Sequence, residues 1–253
     1  MWLLVIVNLA GKAAALFLLR TAPATALALW FGPDALLGYH LFAPQAQGLV
    51  RLHRRFATAR REVWLTIDDG PDPEDTPRLL ALLAAHEARA TFFVIGEKAA
   101  RHPDLIGQIA AAGHEVGNHT QTHPLGTFWC ASPARVGREL DRATQEITRA
   151  TGVAPTRFRP PAGIKNLWLA SALRARGLQG IGWSARALEH WPGDAEAAAS
   201  RALRHVAPGA ILLLHEGPRL PTPIRVTAVR RVLERLRAQG YRCVVPTPAQ
   251  LAR

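Results

Sequence analysis

Cysteine is scarce in these 253 residues, with Cys130 and Cys243 the only two. That excludes a disulfide-dense secreted scaffold and a zinc module built on cysteine. Two buried free thiols are expected, with one disulfide as the alternative. Any metal site must then use carboxylates and the ten histidines. The glycines are isolated punctuators, so no phosphate-cradling loop is present. Lysine is nearly missing: of the 31 basic residues only Lys12, Lys98 and Lys165 are lysine, and the rest are arginine. The net charge of +12 invites a nucleic-acid or anionic-lipid reading. No recognition motif supports nucleic acid, so no such partner is expected, and an Arg-rich composition is the plain alternative. At 49% apolar and 20% charged, the chain is neither disordered nor fibrous. Its length suffices for a full core in one large domain or two small ones.

Charge is thinnest at the start. Residues 1–50 carry only Lys12, Arg20 and Asp34. From Met1 to Arg20, 16 of 20 residues are apolar, and a second apolar stretch covers 21–43, interrupted by Pro23, Gly32, Pro33 and Asp34. A bilayer-spanning helix takes about 20 such residues. One or two N-terminal apolar transmembrane helices are therefore expected, with 1–50 as membrane anchor and juxtamembrane segment. Two alternatives are a signal peptide cleaved near 22–26 and a buried helix pair in a soluble domain. Five arginines follow (Arg51, Arg54, Arg55, Arg60, Arg61) in a basic linker, 51–61. They would favour the cytoplasmic side and attract lipid head groups.

From 62 to 253 short apolar runs alternate with amphipathic segments. Strands are expected at 63–67, 90–95, 115–118, 157–159, 180–183, 210–215 and 243–245. Helices are expected at 77–87, 97–112, 133–151, 167–176, 194–205 and 224–239. This alternation predicts an α/β fold with a parallel sheet. About seven units point to a distorted or incomplete (β/α) barrel, with an open doubly wound sheet as the alternative.

Function in such folds gathers at the C-terminal strand ends. Asp68-Asp69-Gly70-Pro71 follows the first strand, and His119-Thr120-Gln121-Thr122-His123 the third. Arg159-Pro160-Pro161-Ala162-Gly163, Ser184-Ala185-Arg186 and His215 occupy the same rim. Each piece alone has a plain reading as a turn, a surface histidine pair, a loop or a buried histidine. Together at strand ends they favour an enzyme. His119 and His123 sit four apart, so one helical turn would aim both at one ion. One of the two aspartates would complete a two-His, one-carboxylate set, leaving positions open for water and substrate. Neighbouring residues of extended backbone point in opposite directions, so the other aspartate can act separately, as a base.

Five ordered motifs resemble carbohydrate esterase family 4, the polysaccharide deacetylases with a NodB-homology domain. Thr66-Ile67-Asp68-Asp69-Gly70-Pro71 matches T-F-D-D-G-P, and His119-Thr120-Gln121-Thr122-His123 matches H-[ST]-x-x-H. Arg159-Pro160-Pro161-Ala162-Gly163 matches R-x-P-[YF]-G, and Ile211-Leu212-Leu213-Leu214-His215 matches I-x-L-x-H. Ala90 to Val94 and Gly113 to His119 also look like the family. The resemblance implies that Asp69, His119 and His123 hold Zn2+, with another divalent metal such as Co2+ as the alternative. It implies Asp68 as general base, Arg159 orienting Asp68, His215 as general acid, and the Ala162 N–H as oxyanion donor. Pro161, Trp183, Arg186 and Leu213 would meet the substrate, Leu213 at the acetyl group.

Two departures stand out. Ala162 replaces the family's aromatic, so a sugar-stacking wall is lost. The stretch Trp183 to Trp191 lacks the motif-four aspartate, for which Glu189 is the candidate substitute. The expected function is removal of N-acetyl groups from an amino-sugar glycan or lipid-linked sugar at the cell envelope. The expected place is the bacterial inner membrane, with membrane lipid as a partner. The family resemblance suggests the periplasmic or extracellular side; the arginines suggest the cytoplasmic one. A catalytically inactive carbohydrate- or lipid-binding module on the same fold is the alternative.

Overall fold

The structure is a computed structural model that describes residues 2–187, 194–204, 206–217 and 221–251. Among the described residues eight strands form one parallel sheet: β1 (Glu62–Gly70), β2 (Ala90–Val94), β3 (Glu115–Asn118), β4 (Arg157–Phe158), β5 (Gln179–Gly180), β6 (Ala185–Arg186), β7 (Ile211–His215) and β8 (Arg242–Cys243). The order is β5-β4-β3-β2-β1-β7-β6, with β8 paired to the start of β1. This is the incomplete (β/α) barrel that the strand–helix alternation predicts. Helices α3 (Asp75–Ala85), α4 (Gly96–Arg101), α5 (Pro103–Ala111), α6 (Pro133–Thr151), α7 (Leu169–Ala175), α8 (Ala195–Leu203) and α9 (Thr222–Ala238) follow the strands. The helix expected over 97–112 is two, because Pro103 has no N–H to continue the first and instead starts the second. The strand expected over 180–183 is replaced by two short ones, β5 ending at Gly180 and β6 beginning at Ala185.

Strand alternation sorts the core. All nine residues of β1 are buried, as befits a central parallel strand covered on both faces. Val63, Leu65 and Ile67 join Phe92, Leu212, Leu214 and Val229 in the layer between sheet and helices. Trp64 faces inward with Phe93 and Ile211. Thr66 and Asp68 share that inward face by the period of two. The strand register sets Asp68 beside His215. So the inner column of β1 runs from an apolar floor up to a carboxylate.

Before the barrel, α1 (Trp2–Leu18) and α2 (Pro23–Phe42) form an antiparallel hairpin. Gly11, Ala15 and Ala26 let the helices close up; a Cβ on Gly11 would lie 3.2 Å from the Leu29 carbonyl. Lys12 and Asp34 pair across the hairpin at 2.9 Å, and Asn8 donates to Asp34. Two N-terminal helices are thus present, but the transmembrane expectation is not met. Among the described residues no helix is long and apolar enough to cross a membrane. The 17 residues of α1 span about 25 Å, short of a hydrocarbon core of about 30 Å. Helix α2 has the length but carries Pro33, Asp34 and His40.

The basic stretch after the hairpin lies along the barrel. His53 bridges to Ile181 and Arg55 to Ala210, so this segment covers the seam between β5 and β7. Arg55 donates to the Pro208 carbonyl and Arg61 to that of Gln239. Both carbonyls lie where strands begin, at the end opposite Asp68 and His215. Cys243 is buried, its thiol pushed up to about 12 by burial, whereas Cys130 is exposed rather than buried.

Candidate active site

The rim beyond the strand ends holds a cavity of about 180 Å³. Asp68, Asp69, His119, His123, Ala162, Trp183, Arg186, Leu213 and His215 line it, and so does Leu125. Of the residues singled out from sequence, Arg159 lies behind the wall, against Asp68. Pro161 opens a short 3-10 turn, Pro161–Gly163, and is buried outside the lining. Glu189 lies outside the described residues.

Both aspartates reach the cavity, contrary to the expectation that neighbours on a strand diverge. The β1–β2 register shifts between Asp68 and Gly70, and Asp69 takes φ of 73°. That bulge turns Asp69 back toward the face that Asp68 already occupies. The histidine pair departs from expectation as well. His119 and His123 lie on a loop after β3, with positive φ at Thr120 and His123, not on a helical turn. Among the described residues five non-glycines have positive φ, and four of them (Asp69, Thr120, His123, Ala162) build this rim. Strained backbone concentrated at one site is characteristic of a functional centre.

Buried polar contacts hold the loop in that shape. Glu139 of α6 accepts from the N–H groups of Gln121 and Thr122 and from the Thr122 hydroxyl. Asn118 accepts from Thr120 N–H and donates to Leu140 O and Thr144 Oγ1. The result places Asp69 Oδ1 3.5 Å from His119 Nε2 and 3.2 Å from His123 Nε2. His119 Nδ1 lies 2.7 Å from the Arg159 carbonyl. A carbonyl only accepts, so Nδ1 carries a proton and Nε2 is the atom turned toward the cluster. Burial by itself would push the Asp69 carboxyl up. The hydrogen bond with His119 and the charges of His119, His123 and His215 outweigh it and hold the carboxyl below the usual range. Three convergent ligand atoms of this chemistry could hold a divalent ion with positions left open.

Asp68 stands beside this cluster, its Oδ2 3.8 Å from His119 Nε2. Its Oδ1 accepts from Arg159 Nη1 at 2.7 Å, and the same nitrogen reaches Thr66 Oγ1. Arg159 is fully buried, donates to the Ile181 and Gly182 carbonyls, and lies 4.4 Å over the Phe93 ring. Burial lowers the guanidinium pKa and Asp68 opposes that shift. The pair keeps one carboxylate oxygen fixed and the other facing the cavity.

Sequence reasoning passed over the residue after His215. Glu216 is buried, accepts from Thr76 Oγ1 at 2.5 Å, and its N–H donates to Asp68 O. Its neighbour Asp75 accepts from Gly217 N–H and from Arg225. Burial pushes the Glu216 carboxyl up to about 8, against the Thr76 hydrogen bond and with help from the Asp75 charge. The unfolded chain releases this proton near 4.5. Stability from the neutral group is therefore complete below about 4.5 and is lost as pH rises through about 8. Wild-type Tm should fall relative to Glu216→Gln across that window and run parallel to it above. Thermal melts at pH 5, 7 and 9 check this, and a constant difference would refute it.

The model of the family described as polysaccharide deacetylase matches residues 56–181. A chitooligosaccharide deacetylase of Bradyrhizobium is 38% identical over 169 residues, 66% of this chain and 76% of that one. The chain belongs to the polysaccharide deacetylase family. Among solved structures, this deacetylase superposes on the Bc1960 peptidoglycan N-acetylglucosamine deacetylase with a TM-score of 0.72 and 28% identity, over 78% of this chain and 91% of that one. It also superposes on the family 4 carbohydrate esterase from Streptomyces lividans at 0.68 and 30% identity, over 77% and 97%. The NodB-type, esterase family 4 assignment made from the motifs is thereby established. The family match ends before β7, so His215 enters the deacetylase site through its register with Asp68 on β1.

Proposed function

We propose that this chain is a divalent-metal-dependent hydrolase that removes N-acetyl groups from an amino-sugar glycan or lipid-linked sugar of the bacterial cell envelope. The observation that carries this reading is the Asp69–His119–His123 cluster with the Asp68–Arg159 pair beside it and His215 on the adjoining strand. The names of the relatives, chitooligosaccharide and peptidoglycan N-acetylglucosamine deacetylases, support the chemistry. The apolar surface of the hairpin supports a place at the inner membrane, held without crossing it.

Asp69, His119 and His123 would hold the ion, zinc by the chemistry of the set, which supplies Lewis acidity to the acetyl carbonyl and acidifies water. Asp68 removes a proton from the attacking water through the oxygen that Arg159 leaves open. The Ala162 N–H donates to the oxygen that gains charge as the carbonyl becomes tetrahedral. His215 gives a proton to the nitrogen as the C–N bond breaks, so amide and water become amine and acetate. Leu213 and Trp183 border the acetyl group, and Arg186 stands at the mouth. The inactive-module alternative gains nothing here, because every one of these groups is in place.

The test is acetate release from N-acetylglucosamine oligomers with and without chelator. Activity should vanish with chelator and return with Zn2+ or Co2+, and His119→Ala should lose stoichiometric metal by mass spectrometry. Metal-independent acetate release, or full metal retention in that variant, would overturn the reading.

A further inference from the structure

We infer that the substrate is a membrane-embedded, phosphate-bearing lipid carrying one N-acetylated sugar, which slides into the site along an apolar track from the hairpin. This rests on the deacetylase reading and narrows it.

The hairpin is bolted to the catalytic rim. Lys165, in the loop after Ala162, is fully buried; its N–H donates to Leu41 O and its Nζ to Ala43 O at 2.6 Å. Those carbonyls belong to the last turn of α2 and to the residue that caps it. A Cβ on Gly163 would sit 2.8 Å from both Pro44 and the Trp183 ring, so hairpin end, motif-three loop and cavity wall are in contact. At this junction Phe42 of α2 packs against Trp129, ring centroids 5.7 Å apart and planes tilted by 59°, and both residues are about half exposed. Trp129 Nε1 donates to Gly126 O, next to Leu125, which lines the cavity. Exposed apolar side chains therefore continue from α2 to the cavity mouth.

The hairpin itself has the surface of a lipid-facing element. Ile6, Leu9, Leu16, Phe17, Leu27 and Phe31 are exposed, Phe17 to 86%. Soluble proteins rarely leave such contiguous apolar area uncovered. Lys12 and Asp34, the charges in mid-helix, neutralise one another. Arg20 is exposed at the turn, the end of the hairpin farthest from the barrel. A bilayer leaflet matches this pattern of exposed apolar side chains with the mid-helix charges paired to each other.

The mouth has matching chemistry. Arg186 is exposed and lines the cavity, a cation suited to a phosphate. Ala162 offers no ring on which a following sugar of a polymer would stack. The cavity, about 180 Å³, is smaller than the roughly 300 Å³ at which drug-sized sites begin, so it suits one sugar residue. Metal cluster, arginine and aromatic track thus address acetamide, phosphate and hydrocarbon chain in turn.

Full-length protein should be assayed for acetate release on polyprenyl-phosphate-linked N-acetylglucosamine in phosphatidylcholine/phosphatidylglycerol vesicles, on N-acetylglucosamine 1-phosphate, and on chitopentaose. The expected kcat/KM order is lipid-linked, then sugar phosphate, then chitopentaose, with roughly tenfold between the first and last. Phe42→Ser with Trp129→Ser should shrink the lipid-to-sugar-phosphate ratio about tenfold, and Arg186→Gln should shrink the sugar-phosphate-to-chitopentaose ratio. Preference for chitopentaose, or ratios that the variants do not move, would overturn this inference and leave the deacetylase reading standing. No chelator-sensitive acetate from any of the three would bring down both.

Discussion

Asp68→Asn should lower kcat by about 10³-fold on any accepted substrate while leaving metal content unchanged. The amide keeps the size of the side chain but cannot take a proton, and a positioned general base contributes about 10²–10⁴-fold. The separation from metal binding follows from geometry. Asp69 Oδ1 meets His119 and His123 directly, whereas Asp68 spends Oδ1 on Arg159. Asp69→Asn should therefore weaken metal binding, and Asp68→Asn should not. Metal analysis beside single-turnover acetate release checks the pair. Equal metal loss in both variants would show that the two aspartates act as one ligand set.

The second large effect concerns stability. Arg159→Met should cost about 3–5 kcal/mol of unfolding free energy, the usual penalty for stranding one partner of a buried ion pair. It leaves the buried Asp68 carboxylate without its cation and also frees the Gly182 and Ile181 carbonyls from their donor. Activity should fall with it, because the carboxylate loses the contact that aims it. The double variant Asp68→Asn/Arg159→Met should recover part of the lost stability, since no charge then remains unpaired. Urea denaturation of the four proteins of this cycle gives the coupling. A double variant as unstable as the sum of the singles would show that Arg159 acts through its backbone carbonyl partners alone.

Much of the catalytic rim was legible because parallel α/β folds put strand ends on one side, and the strands announce themselves as apolar runs. Val63 to Ile67 and Ile211 to Leu214 are such runs, and Asp68 and His215 fall at their ends. The inward turn of Asp69 was not legible, since it depends on a register shift against β2 and on φ of 73°, neither encoded in the alternation of residues. The loop geometry of His119 and His123 escaped for a similar reason. Their spacing of four suits a helix, but side chains from elsewhere override it. Glu139 is the lever, and its signal was present: an acid beside Val136, Leu140, Ala143 and Ile147, the buried face of α6. Glu216 had a signal too, as a carboxylate immediately beyond a buried strand. The length rule misread the N-terminus because apolar count alone ignores where helices stop. Helix α1 ends at Leu18, and α2 keeps Pro33 and Asp34 within its length.

The strip laid across the seam between β5 and β7 has a consequence for how the molecule comes apart. Val50 and Leu52 belong to the cluster of Phe128, Phe158 and Leu178, and Phe56 to that of Trp64 and Ile181. A Cβ on Gly209 would fall 2.1 Å from the Phe56 carbonyl, so strip and barrel touch backbone to backbone. The strip acts as a stave in an otherwise open cask. A protease cut between hairpin and β1 would do more than shed an appendage, because it would release the piece that closes the wall, and the barrel and the hairpin would loosen as one cooperative unit.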